Sequence, residues 1–504
     1  MSCASRFHPV LDEHHSLGDA ERNGLTYPGD GMESKPLYLN GKWVTSDPTI
    51  EVTNPATGEA LAAVSTIDRD GMRQAITNAQ AAFDKWRQLT ATQRSDYLLA
   101  IGEALSQRFD DVARIITLEN GKALAQSEGE MNLSIDHFRW FAEEGRRAYG
   151  RIIPNQVEGR RHLVLRHPIG VVGAIAPWNF PLLLAVRKVA PAMAAGCPVI
   201  LKPASATPLS ALALAECADE VGVPAGVLQV VAGRASEISG EMLSNPLCRK
   251  ISFTGSTEVG KVLMQGAAET VTKLCLELGG HGPFIVFDDA DLDAAVDGLM
   301  IAKYRNTGQS CIAANRVYVQ ASVCERFTEL FVTATEKLKV GNGLEQGVDI
   351  GALVDKASLE HALKQIEDAK QRGARVLCGG KQWGDTGTFL EPTVLADVSD
   401  DSECMKVETF APIAPITSFE NDDEALSRAN ETPYGLAAYA YTSNLTRAIK
   451  TAEALEAGSI CINAGVPTTS QCPFGGLKES GAGRELGSEG LDGFLESKHV
   501  AIGI

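Results

Sequence analysis

The pattern of hydrophobic and polar positions predicts that the first 150 residues form short strands and then helices. Residues 36–65 contain brief apolar runs broken by turns such as TNPATGE. Over residues 70–88 the apolar positions recur every three or four residues, which is the spacing of an amphipathic helix. Helical spacing continues to about Glu119, where the following Asn-Gly pair indicates a helix end, and a further helix is expected over 122–148.

The stretch 169–290 changes to apolar strands that alternate with helices. The strands expected there have the sequences VVGAIAPWN, CPVILKPA, VLQVVAG, KISFTG, KLCLELGG and PFIVFDD. Strands joined through helices form a parallel sheet with right-handed crossovers, and such sheets bind ligands at the carboxyl ends of their strands. Residues 291–480 alternate in the same way. The sequence therefore predicts an α/β fold with two doubly wound parallel-sheet domains.

Two segments lie outside this alternation. Residues 150–168 have the pattern of an extended, hairpin-like ribbon, and the final residues FLESKHVAIGI predict an edge strand that pairs elsewhere. A projecting ribbon of this kind often serves contact between subunits, because pairing covers an otherwise exposed sheet edge. We therefore expect these segments to form a small β oligomerisation element.

Charge and composition narrow the classes of function. The 504 residues carry a formal net charge of −18, which disfavours a nucleic-acid partner because phosphate contacts need clustered Lys and Arg. No run of about 18 apolar residues occurs, so no membrane span is predicted. The N-terminus lacks the apolar core of a secretory signal, and Asp12 and Glu13 argue against a mitochondrial presequence. A cytoplasmic location is expected.

The 11 cysteines include no CxxC pair and no Cys/His cluster with zinc spacing, so no metal site is predicted. Cys311 stands apart because Gly308, Gln309 and Ser310 give its thiol a polar, sterically open approach. Such a thiol is a candidate nucleophile. A helix beginning directly after it would lower the thiol pKa, although the residues from Asn315 onward indicate a strand. A structural cysteine is an equally good interpretation of this residue alone.

Two further segments suggest chemistry at strand ends. Glu277 follows an apolar strand and precedes two glycines, so burial is expected to raise its carboxyl pKa toward the range of a general base. A solvated strand-end glutamate is the alternative. Gly255 and Gly260 flank a strand-to-helix turn in which free N–H groups suit a phosphate. Their spacing is neither GxGxxG nor a P-loop, and a plain helix-entry turn is an equally good interpretation.

Two polar side chains occupy neighbouring strand ends. Asn179 lies between Pro177 and Pro181, where its amide is able to donate to a developing oxyanion. Lys202 ends a strand, where a cation is able to face a ribose or a phosphate. Taken alone, each residue would be interpreted as ordinary loop polarity.

Taken together, these segments resemble the aldehyde dehydrogenase superfamily. The resemblance covers about residues 37–504 and rests on the order and spacing of PWNFP, LKPA, FTGSTEVG, LELGG, GQSC, ETFAP and PFGGLKESGAGRE. It implies that Cys311 attacks an aldehyde to give a thiohemiacetal, with Asn179 holding the oxyanion. It further implies hydride transfer to NAD(P)+ and a thioester hydrolysed by water that Glu277 activates. The cofactor contacts that it implies are Pro177, Trp178, Lys202, Ser205, Gly255, Ser256, Gly260, Glu408 and Phe410.

Ser205 bears on the choice between the two cofactors. Family members that prefer NAD often carry a glutamate at this place, and its carboxylate would repel a 2′-phosphate. Serine lacks that charge, so NADP is expected to be tolerated or preferred.

Within the superfamily the chain looks most similar to succinate-semialdehyde dehydrogenases. That resemblance places Arg187 and Arg305 where a substrate carboxylate binds, and the planar fork of arginine suits a carboxylate. Arg187 also matches relatives that act on uncharged aldehydes, and a structural ion pair is the alternative for Arg305. Thr468 stands for a serine that contacts the carboxylate, and its extra methyl group changes the pocket. Ala313 replaces a second cysteine, so no redox-switch disulfide is expected.

Several alternatives remain open from the sequence. An aldehyde dehydrogenase of broader specificity, or one acting on another pathway-specific aldehyde, would show no advantage for a carboxylate-bearing substrate. A CoA-acylating enzyme is disfavoured by Glu277, because CoA then replaces the water. A non-catalytic protein on the same fold is disfavoured by the presence of both Cys311 and Glu277. A Rossmann alcohol dehydrogenase is disfavoured because no zinc ligands or Tyr-x-x-x-Lys pair replace the Cys311 thiol.

The resemblance also implies a division of the chain. The expected units are a flexible tail at 1–36, an NAD(P)-binding domain at 37–148 and 168–279, a catalytic domain at 280–479, and an oligomerisation element at 149–167 and 480–504. A homodimer or homotetramer is expected, with a small aldehyde as the substrate.

Overall fold

The computed structural model describes residues 34–504. Its strands, in chain order, are β1 (Ser34–Lys35), β2 (Leu37–Leu39), β3 (Lys42–Val44), β4 (Thr49–Thr53), β5 (Ala60–Ser65), β6 (Arg151–Ile153), β7 (Arg160–Pro168), β8 (Val171–Ile175), β9 (Val199–Lys202), β10 (Leu228–Val230), β11 (Cys248–Thr254), β12 (Lys273–Glu277), β13 (Gly282–Val286), β14 (Ala314–Gln320), β15 (Arg375–Cys378), β16 (Thr393–Ala396), β17 (Ile413–Phe419), β18 (Ala437–Tyr441), β19 (Ser459–Ile462), β20 (Gly481–Ala482) and β21 (Leu495–Gly503).

The helices connect these strands. In chain order they are α1 (Arg69–Trp86), α2 (Ala91–Gln107), α3 (Phe109–Asn120), α4 (Leu124–Glu144), α5 (Leu183–Ala195), α6 (Leu209–Glu220), α7 (Ala235–Ser244), α8 (Thr257–Ala267), α9 (Leu292–Tyr304), α10 (Ala321–Thr335), α11 (Lys356–Gln371), α12 (Glu403–Lys406), α13 (Asp422–Asn430), α14 (Leu445–Ala454) and α15 (Gly487–Asp492). Among the helices of residues 34–504, none is both long and apolar enough to span a lipid bilayer.

Two large sheets organise the molecule. An eight-stranded sheet has the order β20-β12-β11-β8-β9-β10-β2-β3, and the run from β12 to β10 is parallel. A seven-stranded sheet has the order β15-β16-β17-β14-β13-β18-β19 and is parallel except for β15. The predicted α/β class with two parallel-sheet units is confirmed, with antiparallel strands added at the sheet edges.

Hydrophobic packing covers both faces of the seven-stranded sheet. Along β13, Phe284 and Val286 belong to one buried cluster, whereas Ile285 and the following Phe287 belong to another. Because successive strand residues point to opposite faces, this alternation means that the sheet is buried on both sides. A strand of this kind appears in the sequence as a continuous apolar run, as PFIVF does.

The ribbon predicted at 150–168 forms a separate three-stranded sheet in the order β21-β7-β6. The C-terminal strand pairs antiparallel with β7 along its whole length, from Leu495 opposite Pro168 to Gly503 opposite Arg160. Strand β20 pairs instead with β12 in the eight-stranded sheet. Residues 480–504 therefore serve two sheets, and the division into domains stays a prediction.

At the N-terminal side, the tail predicted for residues 1–36 lies almost wholly outside the described residues. Its final residues Ser34 and Lys35 form β1, which pairs with β5. This short strand corrects the prediction at that boundary.

Helix α5 lies at the centre of the molecule. All of its residues are buried, which is why its sequence is apolar on almost every side. It ends at Gly196, whose left-handed backbone with φ 99° is the conformation that glycine adopts most easily. Arg187 and Lys188 are the charged residues within it, and both are buried. Burial of two cations in one helix requires specific partners, which lie at the site described below.

A buried ion pair anchors the start of α5. Glu130 on α4 accepts hydrogen bonds at Oε1 from the N–H groups of Leu182 and Leu183, at 2.9 and 3.1 Å. Its Oε2 accepts one from Lys122 Nζ at 2.7 Å, and neither side chain is exposed. The carboxylate thus satisfies helix N–H groups that have no partner within the helix.

Replacing Glu130 with alanine is expected to lower the free energy of unfolding by about 3–5 kcal/mol, because Lys122 is left buried without its partner. Urea unfolding followed by circular dichroism measures the change. Glu143→Ala, on the exposed side of the same helix, is the control and should change it by less than about 0.5 kcal/mol. Equal unfolding midpoints for the two variants would contradict the assignment.

Candidate active site

The polar residues predicted in the first α/β unit gather at one edge of the eight-stranded sheet. Asn179 follows β8, Lys202 ends β9, and Glu277 ends β12. The strand register brings these ends level, since Ile175 pairs with both Lys202 and Phe253, and the next residue of β11 pairs with Glu277. This is the carboxyl edge at which parallel sheets bind ligands.

A cavity of about 210 Å³ opens at this edge and reaches the loop that carries Cys311. Most of the residues predicted from sequence line it. Its lining consists of Pro177, Trp178, Asn179, Thr254, Gly255, Ser256, Leu278, Gly279, Cys311, Glu408 and Phe410.

The loop before Cys311 has an unusual backbone. Asn306, Thr307 and Gly308 follow one another with φ of 56°, 57° and 74°. Left-handed conformations cost non-glycine residues about 1–3 kcal/mol each, so the surrounding structure must enforce them. At Gly308 a Cβ atom would lie 2.3 Å from the carbonyl oxygen of Ala411, so this position has room only for glycine.

Side-chain hydrogen bonds enforce this turn and connect it to Asn179. Asn306 Nδ2 donates to the carbonyl oxygens of Asn179 and Gln309, both at 2.8 Å. Asn179 Nδ2 donates to the same Gln309 oxygen at 3.1 Å. A primary amide carries two N–H donors, so Asn179 retains one for a group in the cavity. Asn179 and the loop before Cys311 are therefore held together as one unit.

The thiol of Cys311 is half-buried beside two carboxylates. Burial raises its pKa to about 12, and the charges of Glu408 and Glu277 act in the same direction. No helix follows the cysteine, because β14 begins at Ala314. The condition for a lowered thiol pKa, a helix beginning directly after Cys311, is therefore not met, and the strand indicated from Asn315 onward is present. Arg187 lowers the thiol pKa, but its effect is smaller than that of burial.

Glu277 is an almost fully buried carboxyl group, with 2% of its surface exposed. Among the described residues, neither of its side-chain oxygens has a hydrogen-bond partner. Burial raises its pKa well above the ordinary value, and the nearby charge of Glu485 raises it further. This agrees with the direction expected from the sequence. An unpaired buried carboxyl group is costly for folding alone, which favours a chemical role.

A charged network lies behind Glu277. Lys188 Nζ donates to Glu485 Oε1 at 2.5 Å and to Thr254 Oγ1 at 2.7 Å. Lys188 lowers the pKa of Glu277, opposing Glu485. The sequence analysis missed this network, although its members stand in the AVRK and GAGRE segments. Neither segment indicates this contact, because Lys188 and Glu485 are almost 300 residues apart in the sequence.

Glu408 and Phe410 also line the cavity. Glu408 Oε1 accepts a hydrogen bond from the N–H of Gly280 at 3.0 Å, and burial raises the pKa of Glu408 to about 8. Phe410 has a left-handed backbone with φ 45°, and its ring meets that of Trp178 edge to face at 5.4 Å between centroids. These rings give the cavity an aromatic wall.

Some N–H groups of the predicted phosphate-binding turn already have hydrogen-bond partners within the protein. The N–H of Gly255 already donates to the carbonyl oxygen of Glu277 at 3.1 Å, and Ser256 caps α8 by accepting from the N–H of Val259. Gly260 lies one turn into the helix, where a Cβ would come within 2.6 Å of Leu278. Close packing of α8 against Leu278 accounts for this glycine.

Lys202 and Ser205 lie beyond β9. Lys202 is buried, which lowers its pKa, and its Nζ donates to the carbonyl oxygen of Pro203 at 3.2 Å. Ser205 is exposed. Its hydroxyl is thus accessible from solution, and its part in cofactor binding stays a prediction.

The two predicted substrate arginines lie near each other in a buried region. Burial lowers the pKa of Arg305, and the charge of Arg187 lowers it further. The guanidinium groups lie over aromatic rings, Arg187 over Phe474 at 4.9 Å and Arg305 over Phe180 at 5.2 Å. Thr468 is half-buried in the loop after β19, and its contact with a substrate stays a prediction.

Two β-sheet units meet at a cavity that contains a cysteine and an amide donor, with a buried carboxyl group nearby. This combination is typical of an enzyme that works through a thiol. The chain belongs to the aldehyde dehydrogenase family, because the model of that family matches residues 43–500.

Similar proteins support this membership. A succinate-semialdehyde dehydrogenase of Escherichia coli, named for NADP(+), is 47% identical over 468 residues, which are 92% of this chain and 97% of that protein. A glutarate-semialdehyde dehydrogenase of Pseudomonas putida is 48% identical over 469 residues, covering 93% and 97%. A crystal structure described as an E. coli NADP-dependent enzyme superposes with a TM-score of 0.92 at 47% identity, covering 94% and 98%.

The raised thiol pKa gives a test of the site. Because the Cys311 thiol is mostly neutral near pH 7, its rate of alkylation by iodoacetamide should rise about tenfold per pH unit between pH 7 and 9 in the protein without cofactor. Mass spectrometry of the peptide that contains Cys311 measures the rate, and Cys311→Ser provides the blank. A plateau reached below pH 8 would show that the thiol is already ionised.

Proposed function

We propose that this enzyme oxidises succinate semialdehyde to succinate with reduction of NAD(P)+. The observation that carries the proposal is the pair of guanidinium groups at Arg187, which is buried, and Arg305, which is half-buried. The names of the two similar proteins from E. coli and P. putida both refer to semialdehydes of dicarboxylic acids. These substrates carry a carboxylate at the end opposite to the aldehyde.

The arginine pair suits an anionic substrate because its packing partners are aromatic rings and not carboxylates. Among the ion pairs formed by residues 34–504, none includes Arg187 or Arg305, and Nε of Arg187 is buried without a hydrogen bond. Two such cations that repel each other are costly unless an anion joins them. Both also experience the charge of Cys311, which places them near the reacting thiol.

The site residues support a thioester mechanism. The Cys311 thiol releases its proton to solvent, and its sulfur forms a bond with the aldehyde carbon, while the carbonyl oxygen becomes an oxyanion that the free N–H of Asn179 stabilises. NAD(P)+, when bound, would supply the acceptor for the hydride on this carbon, so that the acyl group would remain on Cys311 as a thioester. Glu277 then removes a proton from a water molecule, which adds to the thioester carbon. The thiol leaves as the carboxylate product forms.

Glu277 is suited to this last step by its surroundings. Its raised pKa allows it to take a proton near neutral pH, whereas an ordinary carboxylate is a weak base there. Lys188 and Glu485 adjoin it and supply opposing charges. The presence of this base supports hydrolysis and argues against transfer of the acyl group to CoA.

The cavity fits the nicotinamide end of the cofactor. Glu408 uses Oε1 for the N–H of Gly280, which leaves Oε2 to accept from a ribose hydroxyl. At Gly279 a Cβ would lie 3.2 Å from Glu408 Oε2 and 3.3 Å from the ring of Tyr434, so the glycine keeps this space open. Phe410 and Trp178 provide apolar surface for a planar ring. Lys202, Ser205, Pro177, Gly255, Ser256 and Gly260 complete the proposed cofactor contacts.

A different semialdehyde is the second candidate. The relative from P. putida is named for glutarate semialdehyde, which is one carbon longer. Thr468 bears on this choice, because its methyl group changes the volume beside the proposed carboxylate site. An enzyme of broader specificity is the remaining alternative.

Assembly into a homodimer or homotetramer belongs to the same proposal. The ribbon strand β6 has all three residues exposed, including Ile152 at 79%. An exposed apolar residue on a sheet edge favours pairing with another chain. The division into an NAD(P)-binding domain, a catalytic domain and an oligomerisation element is proposed on the same basis.

The proposal is tested by kinetics with succinate semialdehyde and with butanal, an uncharged aldehyde of equal carbon number. Arg305→Met should lower kcat/KM for the semialdehyde about 30–150-fold, because a charged hydrogen-bonded contact worth about 2–3 kcal/mol is lost. The value for butanal should change by less than about threefold, since no carboxylate is involved.

Arg326→Met is the matched control, because Arg326 is 66% exposed and pairs only with Glu329 on the surface of α10. It should leave both substrates unaffected. If the unchanged enzyme oxidised butanal as well as the semialdehyde, the carboxylate site would be wrong and the broader specificity would stand.

The cofactor preference is tested at Ser205. Ser205→Glu should raise the KM for NADP+ about tenfold or more and leave that for NAD+ little changed, because a carboxylate repels the 2′-phosphate. Ser205→Gln has nearly the same size without the charge and is the control. A similar loss in the glutamine variant would show that crowding, and not charge, sets the preference.

A further inference from the structure

Lys303 is a buried cation that the mechanism above does not use. It lies near the end of α9, two residues before Arg305, and its relative exposure is 0%. Among the ion pairs of residues 34–504, none includes this lysine. Burial of an ammonium group without a carboxylate costs several kcal/mol unless hydrogen bonds replace its lost hydration.

Two neutral side chains supply these hydrogen bonds. Lys303 Nζ donates to Asn315 Oδ1 at 2.7 Å and to Thr409 Oγ1 at 3.0 Å. Thr409 Oγ1 in turn donates to Asn315 Oδ1 at 2.7 Å. The three side chains form a closed triangle, and all are buried. Nδ2 of Asn315 has no partner among the described residues, so the three hydrogen bonds of the triangle all depend on Oδ1 of Asn315 and Oγ1 of Thr409. A closed set of hydrogen bonds restricts the positions of its members more than isolated contacts do.

The triangle connects three segments of the site. Lys303 belongs to the helix that leads to Arg305, and Asn315 lies four residues after Cys311 on β14. Thr409 stands between Glu408 and Phe410, whose side chains both line the cavity. Phe410 has the left-handed backbone with φ 45°. A residue in this conformation needs its neighbours to be held firmly, because relaxation releases about 1–3 kcal/mol of strain.

We propose that Lys303 is a positioning residue: with Asn315 it fixes the Thr409 side chain, and thereby holds Glu408 and Phe410 in place for the nicotinamide half of the cofactor. The inference rests on the proposed function in that it assumes binding of NAD(P)+. It adds a residue that touches neither substrate nor cofactor and acts through the loop 408–410.

The hydrogen bonds of the triangle do not depend on the charge of the lysine. Burial lowers the Lys303 pKa to about 7. A neutral amine still has two N–H donors, which suffice for Asn315 and Thr409. The geometry of the loop is therefore kept in both protonation states.

Binding of two ligands separates positioning from general stability. NADP+ carries the nicotinamide and its ribose, whereas adenosine 2′,5′-bisphosphate carries only the other half. In the full chain, Lys303→Met should raise the Kd for NADP+ about tenfold, since displacement of a contact loop by about 1 Å is enough for such a loss. The Kd for the bisphosphate should stay within about twofold. Isothermal titration calorimetry measures both.

Variants at Thr409 test the same point if Lys303→Met folds poorly. Thr409→Val preserves shape and removes the hydroxyl, so it should show the same selective loss of NADP+ affinity. Thr409→Ser keeps the hydroxyl and should bind both ligands as the unchanged protein does. Lys337→Met, at an exposed lysine, controls for the change from lysine to methionine.

The binding results distinguish the positioning role of Lys303 from the proposed function of the enzyme. Equal weakening of both ligands in Lys303→Met and Thr409→Val, or unchanged NADP+ affinity, would overturn the positioning role and leave the proposed function intact. Failure of the unchanged protein to bind either NADP+ or NAD+ would overturn the proposed function and the inference together.

Discussion

The ion pair between Lys122 and Glu130 connects the parts of the site that must not move relative to each other. Beyond its bond to Glu130, Lys122 Nζ donates to the carbonyl oxygen of Asn179 at 2.7 Å. The same oxygen accepts from Asn306 in the nucleophile loop. Both charges are removed from water, so their attraction is little screened and their geometry is narrow. Asn179, the start of α5 and the approach to Cys311 are thus fixed from one point.

Charge is distributed unevenly around the thiol. Glu277 and Glu408 favour the neutral thiol, whereas Arg187 and Arg305 favour the thiolate. In a buried site of low dielectric constant these effects are large, and an incoming ligand changes them by adding its own charge. A cationic nicotinamide ring on the carboxylate side would shift the balance toward the thiolate.

The sequence alone was sufficient to predict the main strands and helices and the protein family. The apolar runs that end in polar residues predicted β8, β9, β11 and β12, because fully buried parallel strands leave this pattern. The motif segments predicted the family, and the cavity residues among them lie together.

Long-range contacts were beyond the reach of the sequence. Lys188 and Glu485 meet across the chain, and nothing near either residue indicates the other. The raised pKa of Cys311 depends on burial by several elements at once, so the residues next to it could not predict its direction. Gly260 shows a third limit, since a glycine needed for helix packing and one needed for a phosphate have the same local sequence.

Strand β20 determines how late in synthesis the surroundings of Glu277 can be completed. Gly481 pairs with Glu277, and Ser480 Oγ donates to the carbonyl oxygen of Gly279 at 2.7 Å. Glu485, which sets the electrostatic surroundings of the base, follows a few residues later. The ribosome must therefore produce more than nine-tenths of the chain before the pocket of Glu277 can close. A nascent chain that has already folded its central strands still lacks a finished catalytic centre.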